Sequence, residues 1–461
     1  MFFLKTDKIF TDIIHDNISV SLLAKAIIDT KIFQRLRNLH QLGVCYMIFP
    51  NANNTRFEHS LGTYHLSGKV LHAINNNSDP QNINKALIRV PYIKNYLIKT
   101  HSNDDTEFNI KNFDSSLLDD YLIELIKIAG LCHDIGHGPF SHLFDEWLYT
   151  IDDIKNNKYI HHENRSILLL KYIIDNNYLS HNKELYKLSE FIDDDAFEFI
   201  SELINPNEDT PKNFIFQIVS NNLNGLDVDK LDYLIRDSFY FGIDSPFKLS
   251  RIIDNMKIIN NIICFPEKIT YDIYLVYRTR YDLHKQYYNH KTVVCIEYMI
   301  KNIFNKLDKF LNIIQELINE NNDKFIHKFI NLIDHSIFNT AQTLISINYN
   351  KNLDDLLEID TIVTNINTRN LYKCIYTNLY GTDENIDDEI KKNMLNNKHL
   401  DDKLIPVILK IGLQSGNKPH PFDNIYFYSK NREPYIIPAN EITHLASSFH
   451  QEVIFYIIKT N

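Results

Sequence analysis

Cysteine and glycine are scarce in this chain, and the few cysteines follow no metal-binding or disulfide pattern. The 461 residues include 11 glycines and five cysteines, the latter at Cys45, Cys132, Cys264, Cys295 and Cys374. No two of them form a CxxC pair, so the sequence offers neither a cysteine zinc site nor a disulfide framework. We therefore expect a reducing compartment, which leaves the cytoplasm and the nucleus both open.

Long apolar runs and an excess of positive charge are also missing. No apolar stretch approaches the roughly 18 residues that a membrane-spanning helix needs, and Met1–Lys8 is too short and polar for a signal peptide. A net charge of −11 does not favour a general nucleic-acid-binding surface. With 44% hydrophobic and 23% charged residues, the composition indicates a soluble, globular chain of one or two domains. We expect no membrane partner and no nucleic acid as the main partner.

Apolar residues recur at helical spacing over most of the first 335 residues. The predicted helical segments are 22–42, 57–75, 117–132, 140–150, 162–176, 190–203, 211–222, 226–238, 270–300 and 301–335. Residues 44–50 are predicted to be extended. The polar stretch 76–116, with one apolar patch near its middle, is interpreted as an insertion.

The pattern changes to alternation near residue 405. It predicts strands at 404–409, 425–428 and 435–437, and a last helix at 441–458. The sequence therefore predicts a mainly α fold. Its helical body would span residues 1–404, with the insertion at about 76–116, and a small C-terminal α+β lobe would span 405–461.

Three imidazoles and a carboxylate are concentrated between His133 and His142, at the end of an apolar segment with helical spacing. That segment runs from Leu118 to Leu131 and leads directly into His-Asp-x-Gly-His. Packing explains poorly why a buried helix should end in such residues. The centre of a metal site explains it well.

A His-Asp doublet alone is a weak signal, but four further motifs accompany it. They are Phe33–Arg37, Gln41–Gly43, Arg56–Gly62 and Asp227–Tyr233. With them the chain resembles the HD-domain phosphohydrolases, and more narrowly the deoxynucleoside triphosphate triphosphohydrolases whose vertebrate member carries a SAM domain ahead of the HD domain. The resemblance extends from about Lys8 to the C-terminus and implies an HD-type helical bundle. We expect no SAM domain in this chain.

The resemblance implies four metal ligands, namely His59, His133, Asp134 and Asp229. Two imidazoles and two carboxylates without a thiolate suit Mn, Fe, Zn or Mg and do not choose among them. Each residue taken alone has a simpler explanation; Asp229, for example, could be a helix cap or an ion-pair partner.

A second group lies close to the ligands in sequence. The resemblance places His137, His142 and His162 around the phosphates and the attacking water, and imidazoles there can donate hydrogen bonds and transfer protons near neutral pH. Asp145 is expected to orient His142. His133 and His137 are four residues apart and could share a helical face. Two alternatives stay open: His161 could take the role of His162, or the pair could be a solvated helix start.

The resemblance also assigns the substrate contacts. The phosphate-contacting positions are Arg56, Lys230 and Arg280, and the segment that carries Arg280 also carries His284 and Tyr288. A plain interpretation of that segment is a surface helix with a basic face. The sugar-reading positions are Gln41, Leu42, Tyr233 and Asp237. In the family, Tyr and Leu crowd the 2′ position, while Gln and Asp bind the 3′-hydroxyl.

The implied reaction is metal-dependent hydrolysis of dNTPs, in which water attacks the α-phosphorus and releases deoxynucleoside and inorganic triphosphate. All four bases are expected to be accepted. One alternative is another HD-class hydrolase that acts on ribonucleotides, nucleoside monophosphates or oligonucleotides. A second alternative is a non-catalytic nucleotide sensor.

The family is activated by nucleotides that bind between subunits and assemble a homotetramer. The positions for a GTP or dGTP activator are Lys8, Asp29, Gln34 and Arg37, although Asp29 and Arg37 could instead form an ordinary surface ion pair.

The positions for a second, dNTP activator are Ile48, Phe49, Arg251, Lys268 and Lys291. Here the chain departs from the family, because Pro266 stands in place of an Arg and Asp272 in place of an Asn. A lost cation and a gained carboxylate both oppose triphosphate binding. We therefore expect a weaker requirement for the second activator.

Overall fold

The computed structural model describes residues 1–101, 108–207, 210, 212–319, 322–347, 352–381, 393, 403–414, 420–429, 432–443 and 451–460. Its main α-helices are α1 Leu22–Ile28, α2 Lys31–Gln34, α3 Arg56–Asn77, α4 Pro80–Leu87, α5 Pro91–His101, α6 Asp120–Cys132, α7 His142–Tyr149, α8 His162–Asn176, α9 Asp194–Ile204, α10 Val228–Tyr240, α11 Leu249–Ile253, α12 Thr270–Leu283, α13 Lys291–Leu311, α14 Ile313–Ile318, α15 Asn322–Phe329, α16 Asp334–Ser346, α17 Leu353–Asn367 and α18 Ala439–Ile442. Its strands are β1 Thr6–Asp12, β2 Asp16–Ser21, β3 Tyr178–His181, β4 Glu184–Lys187, β5 Lys257–Ile259, β6 Ile262–Pro266, β7 Lys373–Gly381, β8 Leu404–Gly412, β9 Tyr426–Ser429, β10 Arg432–Ile436 and β11 Gln451–Lys459.

Helix α3 lies at the centre of the helical body. It begins with a capping box, in which the Glu58 side chain accepts a hydrogen bond from the backbone of Thr55 (2.7 Å). Along its length α3 packs against α6 and α10. The Thr63 hydroxyl donates to the carbonyl of Gly130 on α6 (2.7 Å), so the two helix backbones lie close together. This packing brings the first turn of α3 to the C-terminal end of α6 and the N-terminal end of α10.

The described strands form two hairpins, β1–β2 and β3–β4, and two small sheets. The four-stranded sheet has the order β10-β9-β6-β5, in which β6 and β9 are parallel. The three-stranded sheet is antiparallel in the order β7-β11-β8. The predicted mainly α fold with a small C-terminal α+β lobe is confirmed. The boundary at residue 404/405 stays a prediction, and β7 precedes it in sequence.

The predicted last helix at 441–458 is wrong: α18 is a single turn, and β11 follows. Strand β11 is the middle strand of its sheet, with Ile454 opposite Leu379 on one side and Leu409 on the other. All residues from Val453 to Ile458 are buried. A strand covered on both faces has a continuous apolar run, and periodicity alone cannot distinguish such a run from a buried helix.

Three other local predictions fail because short turns replace or interrupt regular elements. Residues 44–50, predicted to be extended, form turns around the 3₁₀ helix Cys45–Met47 after Gly43, whose φ is +54°. The predicted helix at 211–222 is only the 3₁₀ helix Phe214–Gln217 among its described residues. The predicted helix at 270–300 is divided by a π-helical turn, His284–Tyr288.

Residues 76–116 contain α4 and α5, which bury Ile83, Leu87, Ile93 and Leu97 against the main core. The apolar patch noted in the sequence is therefore part of this packing. That the segment is an insertion stays a prediction. Among the helices of the described residues, none combines the length and apolarity that crossing a membrane requires.

The close contact of α3 with α10 predicts that substitutions at two glycines of α3 differ in their effect on stability. A Cβ at Gly62 would collide with the Asp232 carboxylate and lie 2.7 Å from Arg236 Nη2, whereas a Cβ at Gly68 would meet only the flexible Lys127 side chain at 3.3 Å. We expect Gly62→Ala to lower the free energy of unfolding by about 1–3 kcal/mol. Gly68→Ala is the matched control and should be neutral or stabilising by up to about 1 kcal/mol. Urea denaturation measures both, and equal effects would contradict the packing.

Candidate active site

The four residues predicted as metal ligands converge on one point. His59 lies in the first turn of α3, Asp229 in the first turn of α10, and His133 and Asp134 directly after α6. His59 Nε2 is 3.4 Å from Asp134 Oδ2 and 3.1 Å from Asp229 Oδ1. His133 Nε2 is 3.4 Å from Asp134 Oδ1 and 3.6 Å from Asp229 Oδ1. Three separate helices thus supply one cluster of donor atoms.

The hydrogen bonds of the two imidazoles determine which nitrogen faces this point. His59 Nδ1 donates to Asp232 Oδ2 (2.8 Å), and His133 Nδ1 donates to the carbonyl of Gly130 (2.7 Å). Each Nε2 atom therefore faces the cluster. Both Nε2 atoms are buried and have no hydrogen-bond partner in the described part of the chain. Because buried polar atoms are rarely left unpaired, the donor set fits a divalent cation.

Before a metal binds, the carboxylates of the cluster favour a proton on His59, which a bound cation would displace. Burial lowers the pKa of His59, but the carboxylates of Asp229, Asp232 and Asp134 outweigh it and raise the pKa to about 10. Although burial opposes ionisation, Arg56 and His133 hold the pKa of Asp134 well below its usual range. Both acidic ligands are ionised at neutral pH, because the two imidazoles likewise lower the pKa of Asp229. Ionised carboxylates are the form that binds a metal.

The second predicted group forms a separate cluster of rings beside the first. The ring centroids of His137 and His162 are 3.9 Å apart and stacked, and His142 lies 4.8 Å from His137 and 5.4 Å from His162. His137 Nε2 is also 3.3 Å from Asp134 Oδ1, so the two clusters meet at that carboxylate. His133 and His137 do not share a helical face, since α6 ends at Cys132 and a turn follows.

Asp145 binds His162, not His142 as the sequence analysis expected. Its Oδ2 accepts from His162 Nδ1 at 2.7 Å, and its Oδ1 is bound by Arg165. His161 lies outside the cluster, where its Nδ1 pairs with the hydroxyl of Tyr149 (2.8 Å). Of the two neighbouring histidines, His162 is therefore the one that faces the site. Arg165 was missed in the sequence, although it follows His162 by three residues on α8.

The three imidazoles differ in the direction of their pKa shifts. Burial and the nearby Arg56 and His162 lower the pKa of both His137 and His142. The pKa of His162 is raised despite its burial, because Asp145 and Glu163 stabilise its protonated form. The site therefore combines one imidazole that favours its protonated form with two that favour the neutral form. Such a pairing supplies a proton donor and proton acceptors at one site.

The turn between α6 and α7 is held from several directions. Phe140 and Ser141 have φ of 58° and 60°, a strained conformation for residues other than glycine. Asp334 accepts from the Phe140 amide (2.6 Å), and the buried Arg35 donates to the carbonyl of His137 (2.6 Å). Sequence reasoning missed Asp334 because it is nearly 200 residues away and belongs to no recognised motif.

The predicted phosphate contacts lie around the clusters, but they are paired within the protein. Arg56 binds the Asp134 carboxylate and donates to Ser141 Oγ (3.0 Å). Lys230 Nζ donates to the carbonyl of Gly225, and Arg280 Nη1 donates to that of Gly412 (2.6 Å). The segment 279–291 is not a plain surface helix, because Arg280 is buried and the π-helical turn interrupts it.

Two of the predicted sugar-reading residues, Gln41 and Asp237, are linked by hydrogen bonds. Asp237 is buried and accepts hydrogen bonds from the Tyr288 hydroxyl (2.6 Å) and from Asn54 Nδ2 (2.8 Å). The Asn54 carbonyl in turn accepts from the backbone amide of Gln41 (2.9 Å). Asn54, which sequence reasoning missed, therefore links two of the predicted residues. The buried Gln41 Oε1 has no hydrogen-bond partner among the described residues.

The other members of this group are also close by. Tyr233 is buried deeply enough for its pKa to be raised, and Asp229 adds to the rise. The ring of His284 lies 4.8 Å from that of Tyr288, and burial together with Arg280 lowers its pKa well below the usual value. Leu42 packs against the main core in partly buried form.

Comparison with known proteins agrees with the geometry. A family model described as HD domain matches residues 115–236. An HD domain-containing protein of Acanthamoeba polyphaga mimivirus is 38% identical over 98% of this chain and 92% of its own length. The deoxynucleoside triphosphate triphosphohydrolase SAMHD1 homolog of Dictyostelium discoideum is 34% identical over 97% of this chain and 76% of its own. The SAMHD1 of Bos taurus is 30% identical over 99% and 76%, respectively.

The chain belongs to the SAMHD1 family of HD-domain proteins.

In this SAMHD1-family chain, the residues predicted for a guanine nucleotide lie near one another. Gln34 donates to the carbonyl of Ile28, next to Asp29, and accepts from Arg37 Nε (both 2.8 Å). Arg37 lies 3.5 Å over the ring of Phe57, which contacts Phe10, and Lys8 lies 4.5 Å over Phe10. The alternative ion pair between Asp29 and Arg37 is absent from the described structure, where Arg37 binds Gln34.

The residues predicted for a second activator form two groups. Arg251 binds Asp272 (2.9 Å) and donates to the carbonyl of Lys268 (3.4 Å). Phe49, preceded by Ile48, contacts the ring of His290 at 5.7 Å, and Lys291 is the next residue. Pro266 is buried at the end of β6. The Asp272 carboxylate is thus the direct ion-pair partner of the Arg251 guanidinium.

Asp237 makes a pH-dependent contribution to stability. Burial raises its pKa from 3.8 to about 6 in the folded protein. Between these values the folded state holds a proton that the unfolded state has lost, so stability falls as pH rises from about 4 to about 6. Relative to Asp237→Asn, the metal-free wild type should lose up to about 3 kcal/mol across this window and little above it. Urea denaturation at pH 4.5 and 7.5 measures the difference, and a wild type that gains stability relative to the variant would contradict the assignment.

Proposed function

We propose that the protein hydrolyses deoxynucleoside triphosphates to deoxynucleoside and inorganic triphosphate, using a divalent metal ion held by His59, His133, Asp134 and Asp229. The observation that carries the proposal is the meeting of this donor set, with its two unpaired Nε2 atoms, and the His137–His142–His162 cluster at Asp134. The names of the relatives from Dictyostelium discoideum and Bos taurus support the choice of substrate.

When bound, the metal would polarise the α-phosphate and lower the pKa of water. The ion could be Mn, Fe, Zn or Mg, all of which accept imidazole and carboxylate ligands. Asp232 and the Gly130 carbonyl hold the two ligand imidazoles so that their Nε2 atoms face the cluster. Binding of the ion would release the proton that the carboxylates favour on His59.

The reaction breaks the bond between the α-phosphorus and O5′. The oxygen of a water molecule attacks the α-phosphorus, O5′ leaves with a proton as the deoxynucleoside alcohol, and the three phosphates leave together. The neutral His137 can accept the proton of the attacking water, since its Nδ1 and Nε2 have no hydrogen-bond partner among the described residues. Asp145 raises the pKa of His162 and so favours a positive charge beside His137.

Substrate binding needs the cations around the site. Arg56, Lys230, Arg280 and His284 would bind the phosphates. Each of the three cations has a hydrogen bond within the protein that a phosphate oxygen would replace. For the sugar, Gln41 and Asp237 would bind the 3′-hydroxyl, with Tyr288 fixing the carboxylate. Leu42 and Tyr233 would crowd the 2′ position and so exclude a ribose.

Asp134 provides the direct test of this activity. Asp134→Ala removes a ligand and the meeting point of the two clusters, so we expect loss of at least about 100-fold in rate. The assay separates nucleosides and polyphosphates by chromatography after incubation with dGTP or dATP and Mn²⁺ or Mg²⁺. Wild type should release deoxynucleoside and triphosphate in equal amounts.

The same assay distinguishes the alternatives. Release of monophosphate or turnover of ribonucleotides instead of dNTPs would favour another HD-class phosphohydrolase. No turnover in a protein that binds no metal would favour a nucleotide sensor. Asp153→Ala, which changes a carboxylate outside both clusters, is the matched control and should leave the products and rate unchanged.

We also propose that a guanine nucleotide, GTP or dGTP, activates the protein and that it works as a homotetramer. Asp29 can accept from the guanine ring N–H and amino group, while Arg37 can donate to O6. Gln34 bonds both to Arg37 and to the carbonyl next to Asp29, and Lys8 lies over Phe10, whose ring contacts the Phe57 ring under Arg37; this proximity supports the assignment.

The ion pair between Arg251 and Asp272 supports a weaker requirement for the second, dNTP activator. The carboxylate neutralises the guanidinium at 2.9 Å and would repel a triphosphate. With saturating GTP, we expect the rate of the wild type to depend hyperbolically on dNTP concentration. Asp272→Asn removes the repulsion and should introduce a sigmoidal dependence.

Initial rates over a dNTP concentration series measure this dependence. Glu267→Gln, an exposed carboxylate on the same segment, is the control and should remain hyperbolic. A wild type that needs both GTP and a dNTP activator would contradict the expectation.

A further inference from the structure

Asp232 is a completely buried carboxylate that connects the metal-binding residues to the N-terminal hairpin. Its Oδ2 accepts from His59 Nδ1 (2.8 Å) and Arg236 Nε (2.9 Å). Its Oδ1 accepts from His15 Nε2 (2.6 Å) and Arg236 Nη2 (3.0 Å). A carboxylate can only accept hydrogen bonds, so His59 and His15 are both donors here. Each oxygen therefore has one donor from an imidazole and one from the same guanidinium.

The hairpin supplies His15 in a fixed position. His15 lies in the turn between β1 and β2, where Asp12 Oδ1 accepts from its backbone amide (2.8 Å). Asp12 Oδ2 accepts from Arg236 Nη1 (2.8 Å), which closes a ring of interactions through Asp232 back to His15. The side chains of His15 and Asp12 are 3% and 4% exposed, and those of Arg236 and Asp232 are fully buried. Solvent cannot replace any of these contacts.

We propose that His15 is a positioning residue for the metal ligand His59, acting through Asp232, and that the N-terminal hairpin is thereby part of the metal centre. This inference rests on the metal site proposed above. Without His15, Asp232 Oδ1 keeps only the bond from Arg236 Nη2, so His59 and Arg236 are the remaining side chains that hold the carboxylate. The carboxylate and the guanidinium can then shift together, and a shift away from His59 weakens the bond to Nδ1 that orients its Nε2.

The competing explanation is that His15 only attaches the hairpin to the body. The two explanations differ in what they require of the side chain. Attachment needs an imidazole-sized group packed beside His65, whose ring lies 5.3 Å away. Positioning needs a hydrogen-bond donor to Asp232 Oδ1. His15→Gln keeps a donor at similar reach, whereas His15→Leu keeps apolar volume and has none.

The test measures Mn²⁺ binding by the metal-free full-length protein, from the free Mn²⁺ signal in electron paramagnetic resonance. Loss of a hydrogen-bond partner behind a metal ligand typically weakens affinity about 10–100-fold. We expect that loss for His15→Leu, and a change below about threefold for His15→Gln. His65→Leu is the matched control, because His65 has no hydrogen bond to Asp232 within the described structure, and it should bind as the wild type does.

Two results would overturn the inference: wild-type affinity in His15→Leu, or equal losses in His15→Leu and His15→Gln. If His15→Leu does not fold, His15→Asn takes its place, since its amide is too short to reach Asp232, and the comparison with His15→Gln decides in the same way. Thermal unfolding of each metal-free variant separates a loss of fold from a loss of affinity. A wild type that binds no Mn²⁺ would instead overturn the proposed metal centre itself.

Discussion

Two imidazole nitrogens must be kept buried, unpaired and pointed at two carboxylates, and much of the fold serves this constraint. Two ionised carboxylates repel each other, and unpaired buried polar atoms cost free energy, so the cluster would otherwise drive the helices apart. Hydrogen bonds to the ligands oppose this effect. Asp232 accepts from His59, the Gly130 carbonyl accepts from His133, and Arg56 donates to Asp134. A divalent cation would complete the balance of charge.

Buried arginines perform a related task around the turn after α6. Arg35 and Arg165 are almost wholly buried, and each donates to backbone carbonyls of that turn. Backbone carbonyls cannot neutralise a guanidinium, so burial lowers the pKa of Arg35 to about 9. Burial of these guanidinium groups costs free energy. It occurs where the strained turn at Phe140 and Ser141 holds the histidine cluster in place. We interpret the role of these two arginines as keeping the site rigid more than stabilising the chain.

Helices and strands differ in how clearly their burial marks the sequence. Helices such as α8 and α10 were predicted well because each has one buried face whose apolar residues recur at the helical period. Strand β11 was not, since burial on both faces removes the alternation that marks a strand. The β1–β2 hairpin was missed entirely, although it brings His15 to the metal ligands. Its exposed residues carry no pattern until the body that it packs against is known.

The sequence by itself determined the family and the identity of the clustered residues, because the His-Asp doublet and its companion motifs name side chains whose chemistry has few other uses. Only the tertiary structure decided which partners those side chains have. Asp145 binds His162 instead of His142, Asp272 neutralises Arg251, and Asp232 joins His15 to His59. Such pairings depend on distances of about 3 Å between residues far apart in the chain, and no local pattern in a sequence records those distances.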